Sequence, residues 1–161
     1  MKKVSSFLSA AMVAALGVVP LAASPASAVQ RCVHHEEYGK DVSDSVAFDF
    51  CIRADEDEVR VSVENFTCNT DNPSNFLLQC VVSNGLVETR KNGSTTYDYL
   101  PHLEVVANQR YVRWETSHPG CEEGDFVNAF IDDLTVSYHH WASGWSDVSF
   151  GHTFAHGGVR C

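Results

Sequence analysis

Basic residues are scarce in this sequence. Its 161 residues include 11 Lys and Arg against 21 Asp and Glu, which gives a formal net charge of −10. Proteins that bind nucleic acid contact the phosphates through clusters of Lys and Arg, so the composition excludes nucleic acid as a partner. An acidic excess favours solubility and cationic partners instead.

The sequence also lacks an apolar segment long enough to form a membrane-spanning helix. Its one long apolar run, residues 7–21, is shorter than the roughly 20 residues of a spanning helix. This run follows Lys2 and Lys3 and precedes an Ala-Ser-Ala triplet at 26–28, as in a secretory signal peptide. We therefore predict a bacterial-style signal peptide at 1–28, an extracellular mature chain of net charge −12 after loss of both lysines, and no membrane partner.

Familiar catalytic motifs are missing. The sequence has no G-x-S-x-G nucleophile motif and no C-x-x-C pair, and its even number of cysteines leaves no obvious free thiol. Ser, His and Asp all occur, but almost any chain of this length contains all three. We predict no catalytic residue, no enzymatic activity and no cofactor.

Cysteine is the residue type that does define a class. All six cysteines follow the predicted cleavage site, which is typical of a small exported domain stapled by disulfide bonds. Six cysteines permit 15 pairings, and pairing between neighbours in sequence is the simplest. Each such bond is worth roughly 3 kcal/mol in the chain-entropy model. The expected pairs are Cys32 with Cys51, Cys68 with Cys80, and Cys121 with Cys161.

Apolar residues alternate with polar ones in several segments. Val46, Phe48, Phe50 and Ile52 share one face at a period of two, and residues 59–63 repeat the pattern after a charged turn. A period of two is that of a β-strand, so these segments predict a hairpin with one buried face.

Two Asn-Gly pairs, at 84–85 and 92–93, separate β-prone segments. Asn-Gly favours the type I′ turn of a tight hairpin, so the two pairs predict a three-stranded meander over 76–100, ended by Pro101. A further hairpin is expected around Asn108-Gln109, between strands at 103–106 and 111–115.

The remaining segments complete the expected fold. Residues 126–131 are predicted as a strand or short helix, and 134–139 and 148–155 as strands. The segment 29–45 lacks periodicity and is expected to be an N-terminal arm. Short strands at intervals near ten residues indicate an all-β domain over 29–161, an antiparallel β-sandwich or partly open barrel of eight to ten strands.

Aromatic residues crowd the C-terminal part of the chain. Tyr138, Trp141 and Trp145 lie within eight residues of one another, and Trp141 and Trp145 flank an Ala-Ser-Gly loop. Exposed aromatic side chains contribute large, rigid contact areas at binding surfaces. These three are the predicted binding residues, whereas Trp114 lies in a strand and is expected in the core.

These features predict a secreted, non-catalytic binding or adaptor protein that engages another macromolecule, foremost a secreted protein. A subunit of a larger extracellular assembly, such as an interbacterial toxin complex, fits this description. The N-terminal segment offers a strand that can extend a partner's sheet.

Three alternatives remain open. Trp141 and Trp145 suit a module that binds carbohydrate or the cell wall through a cell-surface glycan. The segment 69–79 suits the inserted loop of a protease inhibitor. A small metal-dependent enzyme or metal carrier would use one of His139 and His140 with one of His152 and His156. On a strand, however, His152 and His156 would be roughly 13 Å apart, and the first two would face opposite sides.

Overall fold

The computed structural model describes residues 28–39, 43–71, 74, 76–100, 103–106, 112–151 and 153–161. The described residues form eleven strands and contain no helix that could cross a membrane. The predicted signal peptide lies outside them except for Ala28, so it stays a prediction. The strands are β1 Val29–Tyr38, β2 Asp44–Ala54, β3 Glu58–Thr70, β4 Leu77–Lys91, β5 Ser94–Tyr99, β6 Glu104–Val106, β7 Val112–Pro119, β8 Phe126–His140, β9 Gly144–Ser149, β10 Phe154–Ala155 and β11 Val159–Arg160.

The strands form two antiparallel sheets. Sheet A has the order β1-β2-β3-β7. Sheet B is centred on the long pair β4 and β8; β5 and β6 flank β4, and β9, β10 and β11 flank β8. Neither sheet closes into a barrel. The predicted disulfide-stapled antiparallel β-sandwich is therefore confirmed, with eleven strands where eight to ten were expected.

The core lies between the two sheets and follows the predicted alternation. Val46, Phe48, Phe50 and Ile52 of β2 are at most 1% exposed, and Trp114 of β7 is also buried. Removing a large apolar side chain from water contributes about 1.5–3 kcal/mol, so this face of β2 is a main source of stability. Sheet B covers it with the following buried residues: Val82, Val87, Val127, Ala129, Ile131, Leu134 and Val136.

All three predicted disulfide bonds are present. Cys32 and Cys51 are directly paired residues of β1 and β2. Cys68 in β3 and Cys80 in β4 connect sheet A with sheet B, and Cys121 ties the loop after β7 to the C-terminal residue. Structural disulfides of this kind persist in oxidising environments such as the extracellular space.

The first predicted Asn-Gly turn is wrong. Strand β4 runs straight through Asn84 and Gly85, and only the second pair forms a turn, with positive φ angles of 48° at Asn92 and 82° at Gly93. The Gly85 carbonyl accepts a hydrogen bond from the Leu100 N–H, and a Cβ at position 85 would come within 2.7 Å of Leu100 Cδ1. Gly85 therefore permits a close approach rather than a turn.

Strand β8 joins two segments that were predicted separately. Residues 126–131 are strand rather than helix, and they continue into 134–140. Asp133 adopts a positive φ of 54°, and the pairing of β8 with β4 is irregular around this level. One long, irregular strand therefore replaces two short ones.

Two connections also differ from the predictions. The hairpin around 108–109 is wrong: those residues lie outside the described ones, but β6 pairs with β4 in sheet B and β7 pairs with β3 in sheet A. The predicted last strand at 148–155 is broken, because it comprises the end of β9 and the short β10. The alternation of apolar and polar residues within a segment does not show which sheet its strand joins. Pro101, which was expected to end the third strand of the meander, also lies outside the described residues.

The expected N-terminal arm is mostly strand. Strand β1 pairs with β2 along its whole length, from Val29 opposite Ala54 to Tyr38 opposite Ser45. Strand β1 lies at the edge of sheet A and has only β2 as a neighbour. Its inward residues Val33 and His35 are therefore only half-buried. This partial burial explains why the segment shows no clear period of two.

Candidate functional site

The hairpin of β8 and β9 presents both predicted tryptophans to solvent. Residues 141–143 form the turn, and Gly144 opens β9 with a positive φ of 76°. Trp141 at the turn is 72% exposed and Trp145 in β9 is 53% exposed. Fully burying such a side chain would remove 150–250 Å² from water, so the exposure forgoes a large stabilisation.

Trp145 and His139 form a parallel ring stack, which we call the His139–Trp145 platform. The two residues are paired across β8 and β9, and their rings stack with centroids 4.6 Å apart and an interplanar angle of 7°. Gln79 of β4 lies opposite His139 on its other side, and Val106 of β6 lies opposite Gln79. These four residues make one row across the outer face of sheet B.

Two exposed apolar residues lie next to this row along the chain or in the sheet. The Trp141 N–H donates a hydrogen bond to the Phe76 carbonyl oxygen, with an N···O distance of 2.9 Å. Phe76 is 68% exposed, and Leu78, at an irregularity between the pairs of Leu77 and Gln79, is 39% exposed. We call Phe76, Leu78, Trp141 and Trp145 the aromatic patch.

Sequence reasoning missed Phe76 and Leu78. The available signal was the run Phe76-Leu77-Leu78, in which three consecutive apolar residues cannot all face the core of a sandwich. Leu77 packs against the core, which leaves its two neighbours outside.

Polar groups border the patch. Gln79 Nε2 donates to Glu104 Oε1, and Ser137 Oγ donates to Asp147 Oδ1 at 2.5 Å. Glu104 and Asp147 are therefore oriented carboxylates on the outer face of sheet B, close to the His139–Trp145 platform. Acidic groups therefore lie beside exposed apolar ones on this face of the sheet.

Tyr138 is not part of this surface, which corrects its predicted binding role. Its side chain is fully buried and packs in the core against His140, with ring centroids 6.2 Å apart. Burial raises the pKa of the Tyr138 hydroxyl, and the Asp44 carboxylate raises it further. Successive residues of a strand face opposite sides of a sheet, so Tyr138 packs beneath the strand whose outer face carries His139.

The candidate metal-binding histidines occupy separate places. His139 lies on the outer face of sheet B, whereas His140 forms a buried 3.0 Å hydrogen bond with Asp44 Oδ2. The backbone N–H of His156 donates to the Ala129 carbonyl, eleven residues before His140 on β8. At about 3.3 Å per residue this is some 35 Å along the strand, so neither His139 nor His140 shares an ion with His156.

No group of three or more potential metal ligands occurs within the described ranges. His152 lies outside them, so its proposed combinations stay predictions.

The segment proposed as an inhibitory loop is partly strand. Asn69 and Thr70 end β3, and Leu77 to Gln79 begin β4. Of the intervening residues the structure describes 71, 74 and 76, and the exposed Phe76 belongs to the aromatic patch. The protease-inhibitor hypothesis therefore stays a prediction.

The chain was compared with protein-family models, with curated proteins and with solved structures, and none of the three comparisons found a match.

Proposed function

We propose that this chain is a secreted, non-catalytic binding protein that engages another protein through the aromatic patch. The observation that carries the proposal is the exposure of four large apolar side chains at one end of sheet B. Contiguous exposed apolar surface on a folded domain marks interaction sites, and tryptophan is enriched among the residues that dominate binding energy. The patch thus has the composition of the centre of a protein interface.

The surroundings of the patch point to the character of the partner. Glu104 and Asp147 lie on the same face as Trp145, and the chain as a whole carries a net charge of −10. Like charges at an interface rim slow association and weaken binding, whereas opposite charges speed it. The partner that fits is a secreted protein with an apolar pocket and a basic rim, within a larger extracellular assembly such as an interbacterial toxin complex.

Export is part of the same proposal. The three disulfide bonds suit an oxidising environment, and the leader at 1–28 supplies the route. N-terminal sequencing of the protein from the culture medium should begin at Val29. An intact Met1 on the protein, or its retention inside the cell, would contradict export.

The binding test compares two matched double variants. Trp141→Ala with Trp145→Ala removes two exposed aromatic residues from the patch, and Tyr97→Ala with Tyr99→Ala removes two from β5. Each tagged protein is used to capture partners from the native culture medium, and the captured protein is then purified for affinity measurement. We expect the patch variant to weaken binding about 100-fold or more and the β5 variant to leave it unchanged.

The test can fail in two ways. Equal binding by both variants would remove the patch from the interface. The absence of any stoichiometric protein partner for the wild-type chain would count against a protein-binding function altogether.

Carbohydrate is the second candidate ligand, and the exposed indole of Trp145, which stacks on His139, favours it. The exposed part of the indole offers a flat apolar surface, and the neighbouring Gln79, Ser137 and Asp147 carry polar groups that can hydrogen-bond hydroxyls. Retention on insoluble polysaccharide or cell wall, lost in Trp145→Ala and kept in Tyr97→Ala, would support this ligand. Passage of the wild-type protein through every such matrix would reject it.

A further inference from the structure

Two arginines differ from the other described cationic residues. Four arginines lie within 4.0 Å of a carboxylate, and Lys91 donates to the carbonyls of Pro119 and Gly120. Arg31 and Arg160 have no carboxylate partner among the described residues, although the chain has a large acidic excess. The paired arginines are Arg53 with Asp55, Arg60 with Glu58, Arg90 with Glu88, and Arg113 with Glu115.

The two unpaired arginines line the same pocket. This open pocket of about 460 Å³ lies where β1, at the edge of sheet A, meets β11, at the edge of sheet B. The Phe126 ring forms part of its wall, and Arg160 Cζ lies 5.9 Å from the centroid of that ring. Two arginines without a carboxylate partner among the described residues and one aromatic residue therefore line a common space.

The backbone around the pocket is held in place by one imidazole. The Gly158 N–H donates to His156 Nδ1 at 3.1 Å, and His156 Nε2 donates to the Arg31 carbonyl at 2.7 Å. This pair of bonds ties β1 to the C-terminal segment. Gly158 has a positive φ of 80°, and a Cβ there would come within 2.4 Å of Phe126 Cζ, so only glycine permits this wall.

We propose that this pocket binds a monoanionic carboxylate attached to an apolar or aromatic group. The carboxylate lies between Arg31 and Arg160, where the planar guanidinium groups donate to its two oxygens, and the apolar group lies against Phe126. A pocket of this size suits a small organic molecule or a single amino-acid residue. The net charge of the chain disfavours ligands with several negative charges, which selects a single carboxylate over a polyphosphate.

The same ligand chemistry has two sources. One is a free aromatic acid, and the other is a peptide that ends in an apolar residue with a free α-carboxylate. A second open pocket of about 460 Å³ shares the Phe126 ring and is bordered by Asn92, Thr95 and Asn128. Only the peptide has further backbone groups that can reach these polar side chains.

Isothermal titration calorimetry with 3-phenylpropionate, and with a pentapeptide ending in Phe, tests the proposal directly. We expect at least one probe to bind, and its uncharged amide to fail. Arg31→Gln and Arg160→Gln should each weaken binding about tenfold or more, because each removes a charge-assisted hydrogen bond. The control Arg53→Gln removes an exposed arginine that is already paired with Asp55, and it should leave binding unchanged.

The results also separate the two sources. Binding of the free acid alone identifies a small-molecule site; binding of the peptide that weakens in Asn128→Ala identifies a chain terminus. Equal binding of acid and amide, indifference to both arginine variants, or no binding of either probe would overturn the proposal. Trp141 and Trp145 lie at the other end of β8, so their double alanine variant should bind the probes normally whatever the outcome at the aromatic patch.

Discussion

The disulfide between Cys121 and Cys161 should contribute most of its stability through the unfolded chain. It spans 40 residues, the longest separation of the three bonds, and the chain-entropy relation then gives about 3.9 kcal/mol at 25 °C. The perturbation is the double variant Cys121→Ala with Cys161→Ala. Alanine is preferred to serine because Cys121 lies in the core, where a hydroxyl would be buried.

The folded structure around this bond does not depend on it alone. The Gly124 N–H donates to the Cys161 carbonyl, and the Cys161 N–H donates to the Asp125 carbonyl, each at 3.0 Å. These bonds keep the loop after β7 next to the C-terminus when the sulfurs are removed. The same relation gives about 2.8 kcal/mol for the bond between Cys68 and Cys80, which spans 12 residues.

Urea unfolding followed by tryptophan fluorescence, in which the buried Trp114 becomes exposed, measures both losses. We expect the variant of the longer loop to lose about 1 kcal/mol more than Cys68→Ala with Cys80→Ala, and both to show a larger m value because their unfolded chains expose more surface. A larger loss in the Cys68–Cys80 variant, with m values unchanged, would refute the reasoning. Packing around the fully buried Cys80 would then outweigh loop entropy.

Three further predictions concern stability. Burial lowers the pKa of His156, so the folded state binds fewer protons than the unfolded chain. The free energy of unfolding should therefore fall as the pH drops below the ordinary histidine value of 6.5. In urea titrations at several pH values, the free energy of unfolding should depend less steeply on pH in His156→Gln. Gly120→Ala places a Cβ 2.0 Å from the Glu56 carbonyl oxygen and should cost more than about 2 kcal/mol, whereas Gly151→Ala meets no atom within 4 Å and should stay within about 0.5 kcal/mol in the same assay. Phe48→Ala should cost about 3–5 kcal/mol by urea unfolding, because its ring is 1% exposed; a loss below 1 kcal/mol would contradict the packing described.

Local patterns predicted the features that depend on neighbouring residues. The alternation in β2 identified a buried face correctly, and the turn at Asn92-Gly93 followed from its demand for positive φ. Gly85 shows the limit of such reasoning. Its role depends on Leu100, which directly follows β5, and the dipeptide carries no information about that contact.

The candidate sites divide in the same way. Trp141 and Trp145 flank a short turn, and this position alone predicted exposure. Phe76 joins them through the partnering of β4 with β8, which the sequence does not state. The sequence could not single out Arg31 and Arg160, because an arginine without a carboxylate partner is recognised only when the folded structure shows which carboxylates lie near each arginine.

Exposure and burial alternate along the β8–β9 hairpin, and this makes its binding role separable from its folding role. Trp141 and Trp145 are largely exposed, so their replacement by alanine should change the free energy of unfolding by about 0.5 kcal/mol or less. Tyr138→Ala empties a fully buried site and should cost about 3–5 kcal/mol, as measured by urea unfolding. If the tryptophan variant proved as unstable as Tyr138→Ala, the indoles would be structural, and a loss of binding would no longer indicate an interface. If it stays stable, the two tryptophans contribute little to the fold, and any loss of binding in the variant then measures their role in the proposed interface.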